Sequence, residues 1–407
     1  MKPLVLLLSI IILAAFTITA NAFNAVGLSD NGTAELWNGT IVAYSYHVNA
    51  VMGYLTLYNS SFTSIGFAPG NVASVQLNLV VTNGIQYFWV QNIAHLEKFN
   101  KTYYIVWFWD DLWNITSVGA YLNTRLINGS RSYLSYQRYI SYYRYAAPPI
   151  MLVKVPFTVS CMVTVNLTHG YINVNYWYRL NNTHFDTGWV KYDDVLIKVN
   201  STKAYVIIGG FNPGNLSNDV EWVVGGYTAA AQLYVSEWNA TLMLMYRYLD
   251  KWFTVVGGQS RSFDTGESVN PIEGISERYV NGIVSQEAGR VNSTYLWLIN
   301  ASVGLRHGEL IIHVAPGGAR WVAVIKGNVI LLNSTETITN TRSWVSGRYE
   351  LALTLYAGNT SVYSYTYTFT TGGISMWLWL ILIIVVLIIV IYYRIFKYGT
   401  KSLTHHV

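Results

Sequence analysis

The feature that most constrains the fold is a series of short strand-forming runs separated by turn signals. Runs rich in Val, Tyr, Thr and Leu, several alternating with polar residues, occupy residues 75–81, 87–93, 102–109, 159–167, 171–178, 195–199, 204–208, 229–235 and 240–248. N-G, G-N, N-N-T and P-G signals separate them, and no amphipathic stretch of helical length competes. We therefore expect an all-β fold. Its first unit, residues 23–288, should be a large concanavalin-like or jelly-roll sandwich.

A change of composition near Gly289 and Arg290 predicts a second unit at residues 289–371. Ser, Thr and Tyr alternate strongly at its end, after a strand that reads GRYELALTLY. This length and pattern are typical of an immunoglobulin-like β-sandwich. Its simplest role is a spacer, and contact with glycans or a surface layer is the alternative.

The amino terminus carries the features of a secretory signal peptide. Met1 and Lys2 form a positive start, and the apolar core at residues 4–16 is too short to span a bilayer. A small-residue cleavage site, Ala-Asn-Ala, ends at Ala22. We expect residues 1–22 to be removed.

Near the carboxyl terminus, residues 374–393 form a continuous apolar run, which matches the ~20 residues of a membrane-spanning helix. Tryptophans lie at one edge and tyrosines at the other, and Arg394, Lys397 and Lys401 follow. Basic residues mark the cytoplasmic side. The sequence predicts a single-pass type I protein of the cell membrane, with a cytoplasmic tail at residues 394–407 and the bulk of the chain extracellular.

N-glycosylation signals are dense along the predicted extracellular part. Only 11% of residues are charged, compared with about 25% in ordinary soluble domains. We expect sugars to supply the missing solubility. The fifteen N-x-S/T acceptors are Asn31, Asn38, Asn59, Asn100, Asn114, Asn128, Asn166, Asn181, Asn200, Asn215, Asn239, Asn292, Asn300, Asn333 and Asn359.

Several functional classes are disfavoured by composition. The net charge of +5 is modest and dispersed, which argues against a nucleic-acid partner. Cys161 is the only cysteine, so no intramolecular disulfide can form. The eight histidines are scattered, and the sequence contains no H-E-x-x-H, C-x-x-C or G-x-S-x-G motif. No metal or cofactor is predicted.

Residues 131–145 interleave tyrosines at every third position with arginines. We expect an extended connector that packs its rings along a sheet, and the wall of a substrate groove is the alternative.

Five motifs occur in a fixed order along the first unit. They are VQLN at 75–78, FWVQN at 88–92, DDLWN at 110–114, VEWVVGG at 220–226 and FDTGES at 263–268. Together they resemble the thermopsin family of archaeal acid proteases, over roughly residues 23–285. The resemblance implies a secreted protease that cleaves polypeptides at low pH.

Peptide hydrolysis in acid without metal or histidine points to two carboxyl groups that share a proton. Asp110 matches the acidic position of the third motif and should end a buried strand; capping a turn is its structural alternative. Asp111 is a second acid there, and adjacent strand residues face opposite ways, so at most one should point into the site.

Glu267 is the predicted partner of Asp110, within a water's reach of it. Asp264 is a further candidate in the same Asp-Thr-Gly-Glu segment. Gln91 could polarise a carbonyl or hold water, although buried glutamines more often satisfy backbone groups. The expected function is a membrane-anchored extracellular acid endopeptidase that uses carboxyl-activated water. A non-enzymatic surface glycoprotein on the same scaffold is the alternative.

Overall fold

The structure is a computed structural model that describes most of the chain. The described residues are 25–30, 32–35, 41–43, 45–66, 69–129, 138–208, 219–228, 230–248, 250–255, 258–262, 264–280, 283–291, 300–315, 320–325, 328–332, 336–340, 344, 346–357, 360–371 and 376–399. The predicted signal peptide lies outside them.

The described part of the first unit consists of strands. In chain order they are β1 (Ala25–Asp30), β2 (Thr33–Glu35), β3 (Ile41–Ala43), β4 (Tyr46–Val48), β5 (Ala50–Ile65), β6 (Val72–Thr82), β7 (Tyr87–Lys98), β8 (Tyr103–Asn114), β9 (Leu122–Asn123), β10 (Ile127–Asn128), β11 (Tyr139–Ile140), β12 (Tyr142–Lys154), β13 (Phe157–Thr168), β14 (Tyr171–Asn182), β15 (Val190–Lys198), β16 (Tyr205–Ile208), β17 (Val220–Gly225), β18 (Gln232–Tyr248), β19 (Lys251–Thr254), β20 (Gln259–Ser262), β21 (Ser268–Val269), β22 (Gly274–Val280) and β23 (Ile283–Gly289).

The remaining elements are β24 (Asn300–Arg306), β25 (Glu309–Ala315), β26 (Arg320–Ile325), β27 (Asn328–Leu332), β28 (Glu336–Asn340), β29 (Gly347–Ala357), β30 (Thr360–Thr371) and the helix α1 (Met376–Gly399). The predicted all-β class is therefore confirmed for the described residues.

Two large sheets contain most of strands β1 to β23, while β2 with β3 and β9 with β11 form separate two-stranded sheets. The first sheet runs β12-β8-β7-β6-β17-β1-β20, with β16 beside β6 and β4 beside β16. The second runs β10-β15-β14-β13-β5-β18-β23-β22, with β19 and β21 beside β18. Strands β24 to β30 form separate sheets of three and four strands. The division into domains and the immunoglobulin-like topology stay predictions.

The two large sheets pack against each other across one apolar core, whose members alternate along each strand as half-buried strands require. Trp222 of β17 is fully buried, and its Nε1 donates to the backbone oxygen of Tyr54 in the second sheet, at 2.9 Å. Gly53 makes room for this ring, because a Cβ there would lie 2.3 Å from Trp222 Cδ2. The tryptophan thus fixes the contact between the sheets.

The strand limits differ from the prediction where neighbouring strands extend the ladder. The run predicted at 102–109 continues to Asn114, because both β7 and β12 pair with β8 through this region. Asp110 therefore lies inside a strand and does not end one. The runs predicted at 229–235 and 240–248 form the single strand β18, held by β5 along its length. Residues 142–145 belong to β12 and are not a polyproline-like connector.

Helix α1 covers most of the segment predicted to cross a membrane. In the part of the chain that the structure describes, no helix combines the length and apolar character that a membrane crossing needs.

Candidate active site

A row of polar side chains crosses the outer face of the first sheet, the face turned away from the second sheet. Ladder pairing aligns Arg144 with Asp111, Asp111 with Gln91, Gln91 with Asn78, and Asn78 with Glu221. Each residue comes from a different strand. Their neighbours along the strands, such as Leu77 and Trp222, point into the core. The alternation of side chains thus collects polar groups on one surface.

A cavity of about 210 Å³ lies on this face. The segment after β17 and the turn after β20 close over it. Gly225 permits this approach, because a Cβ there would lie 2.8 Å from the Cβ of Glu267. Trp89, Gln91, Ile93, His95, Trp109, Asp111, Trp113, Arg144, Tyr227, Thr228, Asp264, Gly266 and Glu267 line the cavity.

Glu221 and Asp264 form a carboxyl pair at the cavity. Glu221 is fully buried in β17, whereas Asp264 is half-buried and lines the cavity. Burial first, and then the charge of Asp264 and a hydrogen bond between the two carboxyls, raise the pKa of Glu221 to about 8. Two carboxyl groups can hydrogen-bond only if one carries a proton. The raised pKa of Glu221 assigns that proton to Glu221, and Asp264 is the member of the pair that reaches the cavity.

Neutral donors hold Glu221 in place. Asn78 Nδ2 donates to Glu221 Oε2 at 3.0 Å, and Ser262 Oγ donates to Glu221 Oε1. The backbone N–H of Asp264 donates to Ser262 Oγ at 3.2 Å, which ties the turn to β20. The burial of Glu221 is thus compatible with the protonated form.

Glu267 is the second carboxyl that faces the cavity. Burial raises its pKa, and a hydrogen bond with Gln76 partly opposes this shift. Gln76 also accepts from Gln91 Nε2 at 3.3 Å and donates to Ser74 Oγ at 2.8 Å. Behind each cavity carboxyl therefore lies a buried partner: Glu221 behind Asp264, and Gln76 behind Glu267.

Asp111 forms an ion pair with Arg144 on the opposite wall. Arg144 donates from Nε to Oδ1 at 2.6 Å and from Nη2 to Oδ2 at 2.9 Å. Its guanidinium also lies 4.8 Å from the ring centre of Trp109. Burial raises the pKa of Asp111 to about 6, against the lowering effect of Arg144.

His95 belongs to the cavity wall and is packed among aromatic rings. It is buried, stacks on Trp107 with ring centres 5.2 Å apart, and meets Trp109 and Tyr227 edge-on. Burial, with a smaller contribution from Arg144, lowers its pKa to about 3. The imidazole therefore stays neutral in moderate acid, and no described group hydrogen-bonds to it.

Asp110 lies on the other face of β8, inside the sandwich. Burial first, then the charges of Asp193 and Asp111, raise its pKa well above the ordinary range. Its oxygens accept no N–H or O–H bond from the described residues, and the adjoining carboxyl of Asp193 is close enough to share a proton. Tyr143 donates to Asp193 at 2.5 Å. This second acid pair has no route to the cavity.

Four of the five predicted site residues meet at the cavity: Asp111, Gln91, Asp264 and Glu267. The predicted pairing of Asp110 with Glu267 is wrong, because the pleat of β8 turns Asp110 into the core while Glu267 covers the outer face. Glu221 was not singled out. Its signal was a lone acid in the apolar motif VEWVVGG.

Metal binding has no support in the described geometry. Among the described residues, no three His, Cys, Asp or Glu side chains are grouped as a metal ion would require. Asp264 instead pairs with Glu221, and Glu267 with the amide of Gln76.

The fold and the cavity define a class: an all-β sandwich with a carboxyl-lined cleft on the outer face of one sheet. The chain belongs to the thermopsin family, whose profile, described as Thermopsin, matches residues 11–272. The family is one of acid proteases. None of the curated proteins matches the chain.

The raised pKa of Asp110, in the buried pair with Asp193, predicts that the free energy of unfolding falls as pH rises. Because the folded pKa of Asp110 is raised, its contribution is complete below its ordinary pKa. Above that value the unfolded chain releases the proton first, and stability falls by up to about 1.4 kcal/mol per pH unit until the folded pKa is passed. Asp110→Asn should remove this part of the slope in urea unfolding measured across a pH series. Asp194→Asn, which changes a half-buried neighbour, should keep it. Equal slopes in both variants would contradict the assignment.

Proposed function

We propose that this protein is an acid endopeptidase that cleaves polypeptides with a water molecule activated by carboxyl groups, without a metal. The observation that carries the proposal is the meeting of Asp264 and Glu267 in one cavity, each with a buried hydrogen-bonding partner. Such paired acids with separated proton affinities are the usual basis of acid–base chemistry at low pH.

Asp264 acts as the general base. Glu221 keeps its proton up to a pH of about 8 and donates it in the hydrogen bond to Asp264. Asp264 is the member of the pair that reaches the cavity and can meet a water molecule there. A water between Asp264 and the scissile carbonyl gives its proton to Asp264 as its oxygen attacks the carbonyl carbon.

Glu267 acts as the general acid. Its raised pKa keeps it protonated in acid, so it donates to the carbonyl oxygen as the tetrahedral intermediate forms. When the C–N bond breaks, the proton on Asp264 moves to the leaving nitrogen. The former carbonyl oxygen then returns its proton to Glu267. Both carboxyls end in their starting states. Glu221 touches neither substrate nor water and is a positioning residue.

The walls beside the acids suit an extended peptide. Trp109 and Tyr227 line both the acid cavity and an adjoining apolar groove of about 610 Å³, which continues past Trp107, Ile105 and Ile150. The groove lies on β8 and β12, so a substrate would run over the edge of the first sheet. This supports the interpretation of residues 131–145 as a groove wall, because Arg144 belongs to that segment and lines the acid cavity.

Substitution of the cavity acids tests the mechanism. Asp264→Asn and Glu267→Gln should each lower kcat by about 10²–10⁴, the usual contribution of a positioned acid or base. Glu221→Gln should shift the pH profile and spare substrate binding, because it changes only the proton partner of Asp264. The exposed Glu273→Gln is the matched control.

Digestion of an unfolded protein across a pH series, with unfolding midpoints for each variant, provides the measurement. Wild-type activity should fall as pH rises through the raised pKa of Glu267, and a chelator should have no effect. Undiminished activity in Asp264→Asn or Glu267→Gln would refute that residue's role. Absence of activity in the wild-type chain at every acid pH would favour the non-enzymatic surface glycoprotein.

We further propose that the enzyme is held at the outer face of the membrane by the apolar run at residues 374–393, with an immunoglobulin-like unit at residues 289–371 as a spacer behind a concanavalin-type catalytic sandwich. The apolar run at 374–393 and the basic residues after it support the tether. The described side chains at positions 380–393 are apolar or aromatic and all exposed, although water disfavours such a surface.

The exposure of the acceptor asparagines supports glycosylation of the part of the chain predicted to be extracellular. The acceptors Asn59, Asn100, Asn128, Asn166, Asn200 and Asn239 are exposed, and Asn114 and Asn181 are half-buried. The buried asparagines among the described residues, Asn78, Asn83, Asn92 and Asn175, all lie outside N-x-S/T signals. The other acceptors fall on residues, or on side chains, outside the described set.

Protease treatment of intact cells tests this topology. An epitope at the carboxyl terminus should stay protected and attached to a short membrane fragment, whereas epitopes inside the first unit should be released. The opposite pattern, or release of the whole chain by a high-salt wash, would contradict the tether.

A further inference from the structure

A second cleft lies on the outer face of the second sheet, on the side of the sandwich opposite the acid cavity. Its volume is about 580 Å³. Alternation along β5 and β13 turns Met52, Tyr54, Met162 and Thr164 outward, while Val51, Leu55 and Val163 enter the core. Asn49, Val165, Asn166, Trp177, Trp189, Arg247 and Trp252 complete the lining.

The cleft combines flat aromatic surfaces with neutral hydrogen-bonding groups. Three half-buried tryptophans, Trp177, Trp189 and Trp252, line it. Trp177 Nε1 donates to Thr164 Oγ1 at 3.3 Å, which fixes the edge of that ring. Indole faces stack against the C–H face of a sugar ring, and amide and hydroxyl groups at the edge match its hydroxyls. The lining is therefore suited to an oligosaccharide.

Arg247 is the only charged member of the lining. It donates from Nε to Asn49 Oδ1 at 3.1 Å. Neither a carboxyl nor an imidazole lines this cleft. The one charge in the lining is therefore positive, and a neutral or acidic sugar fits better than a cationic ligand.

The cleft contains its own glycan acceptor. Asn166 is exposed, lines the cleft and begins the signal Asn-Leu-Thr. It lies on the same face of β13 as Thr164 and Met162, and Met162 is the register partner of Trp177. Four residues of strand separate Asn166 from that position, a distance of about 13 Å at the usual rise per residue. A chain of a few sugars that starts at Asn166 can reach the indole of Trp177.

We propose that the N-linked oligosaccharide of Asn166 lies in this cleft and stacks on Trp177. The glycan covers an aromatic surface that would otherwise face water, and its neutral contacts keep it seated in acid. The proposal depends on modification of Asn166 and is independent of the peptidase assignment.

Oxidative footprinting of the full-length protein from its natural host tests the proposal. Mass spectrometry should find Asn166 modified. In Asn166→Gln and in Thr168→Ala, which remove the acceptor in two ways, the oxidation rates of Trp177 and Met162 should rise several-fold over wild type. Asn200→Gln removes an exposed acceptor outside the cleft and should leave both rates unchanged. The pattern should be the same in acid and at neutral pH.

An unmodified Asn166 in the native protein would overturn the proposal, as would equal oxidation of Trp177 in wild type and in Thr168→Ala. A rise in Asn166→Gln alone would also count against it, because the side chain and not the glycan would then protect the ring. Protection that persists in both variants would identify a different occupant, such as a polypeptide.

Discussion

A hydrogen bond between two carboxyl groups exists only while one of them carries a proton, and this condition ties the candidate site to acid. Glu221 satisfies it because burial removes its carboxyl from water, and the neutral donors Asn78 and Ser262 hold it in place. Asp264, at the cavity wall, is the carboxyl to which Glu221 is hydrogen-bonded. If Glu221 lost its proton, two adjacent negative charges would face each other in a poorly solvated site.

The same principle recurs elsewhere in the molecule. Asp110 adjoins Asp193 between the sheets, and the half-buried Glu277 accepts a hydrogen bond from Gln286. Burial raises the pKa of both Asp110 and Glu277 well above the ordinary range. Burial of a protonated carboxyl costs less free energy than burial of a charged one. Acid therefore stabilises a fold with buried carboxyls, and acid is also the condition under which the candidate site would work.

Sequence reasoning predicted the all-β class and many of the strands, because strand periodicity is a local signal. The motifs also pointed to Gln91, Asp264 and Glu267, which line one cavity. Sequence reasoning failed on Asp110, because the side of the sheet that a residue faces depends on how far its strand extends. Only pairing with β7 and β12 extends β8 to Asn114.

Glu221 was missed for a related reason. Its key partners are distant in sequence: Asn78 is 143 positions away and Ser262 is 41. The pairing of β17 with β6 and the return of the chain through β20 bring them together. An isolated acid in an apolar strand gives no indication of such partners, although it does indicate that partners must exist.

Neutron diffraction from crystals grown in acid and exchanged into D₂O tests the central claim most directly, because it locates the protons. The account predicts one deuteron between the carboxyls of Glu221 and Asp264 and another on Glu267. Two deuterons on the Glu221–Asp264 pair would contradict it, because no base would then remain at the cavity. A fully ionised pair, or an ionised Glu267, would contradict it equally.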